Sequence, residues 1–157
     1  MNRKKTDLRV MQEHIQTVEK HLDLIHFLLD ELRSVLRFTA KIMEDMTMHQ
    51  KVDCDALIFR FSLTQDTMAT KVLPDYLELT EEQTQGMSFI DKLHLLERLE
   101  IIDDADQWRD LRELRNHYSH VYTTSSQDQA DYLNKVCKAI PIFDECLERI
   151  KKRILQL

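Results

Sequence analysis

Apolar residues recur at steps of three and four from the start of the chain. Leu8, Met11, Ile15, Val18, Leu22, Ile25, Leu29, Leu32, Leu36, Thr39, Met43 and Met46 form one series, and only Thr39 in it is polar. That period is the signature of an α-helix with one buried stripe. Leu24, Leu28, Val35 and Ile42 widen the stripe beyond a two-stranded seam. The spacing therefore predicts one long first helix over residues 8–46. At 1.5 Å per residue it would reach roughly 60 Å, enough to cover several helices or a second subunit.

Further along, the same period returns in shorter pieces. A polar break from Thr47 to Asp53 separates the first helix from a second, with Asp53 or Asp55 as its cap and Leu57, Phe61, Met68 and Val72 on its inner side. Pro74 is expected to kink or end that helix, because it removes a donor and crowds the preceding turn. Residues 80–87 are polar and contain Gly86, as a loop would. Ser88 and Asp91 have the spacing of a capping box ahead of Phe89, Leu93, Leu96 and Leu99. Asp103 and Asp104 are suited to cap a fourth helix carrying Trp108, Leu111, Leu114, Tyr118 and Val121. Ser125 or Ser126 opens the last helix, with Leu133, Val136, Ile140, Phe143, Leu147, Ile150 and Ile154 inward and an expected bend at Pro141. The pattern predicts an all-α, up-and-down bundle of about five helices forming a single domain over 1–157.

Composition agrees with the periodicity. One glycine and two prolines in 157 residues are too few for the many turns of a sheet protein. With 43% hydrophobic and 32% charged residues, the chain suits amphipathic helices. Its formal net charge of -6 excludes a general polyanion binder, so any nucleic-acid role must rest on a local basic patch. Cys54, Cys137 and Cys146 lack metal-ligand spacing and read as free thiols packed between helices. Asn2-Arg3-Lys4-Lys5 leads into an amphipathic pattern and not a signal peptide, and no apolar run reaches the roughly 20 residues of a membrane span. A cytoplasmic protein is expected.

Against this background one segment is chemically distinct. Arg115-Asn116-His117-Tyr118-Ser119-His120-Val121-Tyr122 gathers a guanidinium, an amide, two imidazoles and two phenols at the end of a helix. Arg109, Arg112 and Arg115, three apart, lead into it as a positive ridge suited to phosphate and RNA. Asn116 and His120 share a helix face, so the amide can orient the imidazole. Arg115 and His120 are five apart, about 140° around an ideal helix, and meet only if the helix ends between them or if they belong to two copies of the chain. Such a set could cleave RNA without metal or cofactor: the 2′-hydroxyl attacks phosphorus, a histidine moves protons, and an arginine stabilises phosphate charge. A plainer reading is available, since Arg and His are favoured in the last turn by the helix dipole and Tyr118 stands at core spacing. His117 and His120 could also form a metal pair, although no third ligand is near in sequence. Asp103, Asp104 and Asp106 resemble a magnesium cluster but stand where a helix N-terminus favours carboxylates.

The order Arg115, four residues, His120, one residue, Tyr122 resembles the R-x4-H-x-Y signature of HepT-like toxins in the HEPN superfamily, and Asn116 matches its commonest form. The stretch from Lys92 to Ile102, then Trp108 and Leu111-Arg112-Glu113-Leu114, is similar to the segment that precedes the motif in that family. The resemblance implies a HEPN-like homodimeric bundle with two motifs facing one another. It also implies an RNA-cleaving toxin with Arg115 and His120 catalytic and Asn116 supporting, and with Arg109, Arg112 and His117 as further RNA contacts. Its partner would be an MntA-type nucleotidyltransferase antitoxin that transfers AMP to Tyr122. The alternatives are a non-catalytic nucleotide- or substrate-binding subunit of such a nucleotidyltransferase and a purely structural coiled-coil dimer.

Overall fold

A computed structural model describes residues 7–81, 83–117 and 124–157. The described residues are helical throughout, with no strand among them. Helix α1 spans Leu8–Glu31 and is capped by the Asp7 carboxylate, which accepts from the Val10 amide at 2.8 Å. At 24 residues it is roughly 36 Å long, well short of the expected reach to Met46. The chain turns through Leu32–Phe38 with Arg37 in the left-handed region (φ 63°), then forms a short α2, Ala40–Asp45.

The apolar series could not show this break, because its later members also face inward after the turn. Phe38 is buried, and the side chain of Asn134 clamps its backbone at two points: the Phe38 N–H donates to Oδ1 and Nδ2 donates to the Phe38 carbonyl, both at 2.9 Å. Thr39, the polar gap in the series, caps α2 through its hydroxyl.

Helix α3, Met48–Thr67, begins within the stretch expected to be a break. Thr47 and Gln50 form a reciprocal capping box, and Asp53 and Asp55 lie inside the helix instead of capping it. A π-helical turn, Met68–Val72, then joins α3 without interruption to α4, Leu73–Thr80. Pro74 thus neither ends nor sharply breaks the rod. The ring has no N–H to offer the carbonyl four residues back, and the backbone widens there so that the Leu73 amide donates to Met68, five residues back.

Helix α5, Phe89–Arg98, is capped by Ser88 as expected. It closes in a Schellman turn, with Ile101 N–H on Leu96 C=O and Glu100 N–H on Glu97 C=O, both at 3.0 Å. Glu100 occupies the left-handed position (φ 58°) that such turns usually give to glycine. Helix α6, Ala105–Asn116, is capped by Asp104, and α7, Ser126–Ile154, by Ser125. Helix α7 continues across Pro141, whose ring lies at the exposed surface.

Side-chain pairs fix the register. Glu19–Lys151 (2.5 Å), His26–Asp144 (2.8 Å) and Phe38–Asn134 lay α1 and α2 antiparallel to α7. His14–Asp75 (2.6 Å) and His21–Arg60 (3.1 Å) set α1 antiparallel to the α3–α4 rod. Phe143 of α7 lies between Phe61 of α3 and Trp108 of α6, with ring centroids 5.8 Å away on each side. All three rings are fully buried, so this contact seats α6 against the core. None of the described helices is long and apolar enough to cross a membrane.

Candidate functional site at the end of helix 6

The part of the distinctive segment that is described is Arg115, Asn116 and His117; Tyr118, Ser119, His120, Val121 and Tyr122 lie outside the described residues. His117 is the C-cap of α6, and its amide donates to the Glu113 carbonyl at 3.1 Å. The Leu114 carbonyl, in the last turn of α6, accepts from the hydroxyl of Tyr132 on α7 at 3.1 Å. The helix end is therefore tied to the bundle from outside as well as packed through Trp108 and Leu111.

Arg115 points toward α3. Its Nη2 donates to Asp66 Oδ2 at 2.5 Å, and its Nη1 to Asn116 Oδ1 at 3.4 Å. The two ionic side chains are 39% and 42% exposed, so the pair sits at the surface. Asp66 is 49 positions away in sequence and carries no local signal of this role. It lies two residues before the π turn, and its own carbonyl accepts from the Thr70 hydroxyl at 2.6 Å.

The arginines do not form a free ridge. Arg109 pairs with Asp106 at 2.7 Å, and the Arg112 guanidinium stacks over the Phe89 ring of α5, 4.9 Å from its centroid. His117 is separated from Arg115 by about 200° around the helix. It faces a groove between α6 and α7 that also takes in Asp110, Glu113, Lys135 and Lys138 and holds about 460 Å³. Thus Arg115 and Arg112 face the α3–α5 side of α6, and His117 the α7 side.

Elsewhere, the three N-terminal aspartates are each occupied. Asp104 caps α6, Asp106 holds Arg109, and Asp103 accepts from Arg149 at 2.7 Å. Among the described residues no three His, Cys, Asp or Glu side chains gather as a metal site. Burial pushes the Cys54 thiol up to about 12, with Asp55, Cys137 and Asp53 adding to the effect, and the Cys137 thiol up to about 11. Burial raises Cys146 further still. All three are thiols at neutral pH and supply no nucleophile.

No protein-family model and no curated protein matches the chain.

Proposed function

We propose that this chain is a metal-independent endoribonuclease of the HEPN type, the toxin of a pair whose antitoxin is a nucleotidyltransferase. The observation that carries the reading is the Arg115–Asn116 pair at the C-terminal end of α6, held there by Asp66, together with the R-x4-H-x-Y order that follows it. A guanidinium anchored on one side by a carboxylate keeps donors for a phosphate on the other. In the reaction, the ribose 2′-oxygen forms a bond to phosphorus and the bond to the 5′-oxygen breaks. The products are a 2′,3′-cyclic phosphate and a 5′-hydroxyl. His120 takes the 2′ proton or returns one to the leaving oxygen, and Arg115 offsets the charge on the non-bridging oxygens.

A homodimer would complete the site. Met48, Val52 and Phe59 are 73%, 58% and 50% exposed and lie along the outward face of α3. Met48 and Asp66 are five helical turns apart, so this apolar stripe runs into the ion pair that holds Arg115. Two chains joined along it would bring both motifs to one cleft and hide surface that a monomer exposes. Tyr122 is the proposed site of AMP transfer, where the added phosphodiester would lie opposite Arg115 and repel RNA.

The test is cleavage of single-stranded RNA by purified protein in EDTA. Loss of a 2′,3′-cyclic product in both Arg115→Ala and His120→Ala, with helicity and dimerisation retained, is the expected result. Cleavage that requires magnesium or survives His120→Ala overturns it. Protein that binds RNA but does not cut it would belong to the non-catalytic class instead. Phe59→Lys should yield a monomer by light scattering. Tyr122→Phe should resist neutralisation when co-expressed with the transferase, while unaltered protein gains one or more AMP masses on the peptide containing Tyr122.

A further inference from the structure

We infer that the groove between α6 and α7 is the subsite for an RNA nucleotide next to the scissile phosphate, an inference that rests on the ribonuclease reading. Its walls differ in chemistry. On the α6 side stand Asp110 and Glu113, on the α7 side Lys135 and Lys138, and His117 closes the end nearest the motif. All five are exposed, and none forms an ion pair or side-chain hydrogen bond with another described residue. That sets them apart from the charged groups around them, since Arg109, Arg115, Arg149 and Lys151 are each paired with a carboxylate. Opposite charges that line one groove without closing on each other leave both sets of hydrogen-bonding groups for a ligand.

Between the walls the floor is apolar, with Leu111 buried on one side and Ile142 half-buried on the other. A volume of about 460 Å³ is within the range of small-ligand pockets and takes one nucleotide. A base lying on that floor would offer its edge to the carboxylates of Asp110 and Glu113, which accept hydrogen bonds. Adenine, cytosine and guanine carry an exocyclic amino group with two N–H donors, whereas uracil has only its single N3–H to offer. The phosphate would lie against Lys135, Lys138 and His117. His117 is two residues after Arg115 on the opposite flank, so a strand leaving the groove crosses the end of α6 toward the Arg115 side.

The experiment uses 2′-O-methylated hexanucleotides of A, C, G and U, which cannot be cut by 2′-oxygen attack, titrated into isotope-labelled full-length protein. Amide shifts should centre on residues 107–117 and 135–142, with U binding weakest. Lys135→Glu with Lys138→Glu should weaken binding on the order of tenfold, and Lys20→Glu on the far face of α1 should not. Shifts confined to other helices, equal affinity for all four oligonucleotides, or no effect of the double reversal overturns the inference. The cleavage assay is separate. Protein that binds in the groove but cuts no RNA keeps the groove as an RNA-binding site and removes the nuclease. Protein that cuts RNA without perturbing the groove does the reverse.

Discussion

Asp66→Asn separates the structural contribution of the Arg115 ion pair from its contribution to the proposed RNA cleavage. The substitution keeps the shape of the side chain and removes its charge, so that a neutral amide replaces the carboxylate 2.5 Å from the guanidinium. Because both side chains are about two-fifths exposed, water replaces most of the lost interaction, and the stability cost should be about 0.5–1 kcal/mol. For a chain of this size that lowers Tm by about 1–4 °C. The catalytic cost should be larger. With only a neutral acceptor to hold it, the guanidinium gains conformers that do not face the phosphate, and misplacement by about 1 Å can cost up to about a hundredfold. A fall in kcat/KM of ten- to a hundredfold, about 1.4 to 2.7 kcal/mol in barrier, is therefore expected. Cleavage of a fluorogenic RNA and thermal unfolding measured on one preparation give both quantities, with Asp45→Asn on α2 as a charge-matched control. A cleavage rate within about twofold of the unaltered protein, or a faster one, would refute the positioning argument and leave Asp66 a surface partner only.

Three further outcomes test other parts of the structure. Desolvation, and then the Arg60 guanidinium, hold His21 below its ordinary value near about 6.5, so the folded state favours the neutral ring. The unfolded chain binds that proton more readily, so stability is lost as pH falls below about 6.5 and is retained above it, and His21→Gln should flatten Tm measured between pH of about 5 and 7.5. Glu100→Gly should raise stability by about 0.5–1 kcal/mol in urea unfolding, because the left-handed position at the end of α5 strains any side chain; a loss would show the turn to be relaxed with Glu. Asn134→Leu removes both hydrogen bonds that hold the Phe38 backbone and should cost about 2 kcal/mol, and an unchanged Tm would mean that the α1–α2 turn stands without them.

The fold class was legible because helical amphipathicity is a local property. Each stripe of Leu, Ile, Val and Met repeats at the spacing of one helix face, and the scarcity of glycine rules out a turn-rich alternative. Caps with side-chain oxygens were legible for the same reason, as at Ser88, Asp104 and Ser125. The turn between α1 and α2 was not. It is held by Asn134, nearly a hundred positions later, and the apolar period runs through it because the residues on both sides still face one core. Pro74 does not end the helix because a π turn, which no local residue pattern announces, absorbs the missing donor. The candidate chemistry divides in the same way. Sequence alone determined that a guanidinium, an amide and two imidazoles fall within six consecutive residues, 115–120, since residue types and spacing are covalent facts. Only tertiary structure decided that Arg115 faces Asp66 while His117 turns to a groove with Lys135 and Lys138. Partners on other helices are brought close by packing, and packing is set by the whole core, not by the residues of the motif.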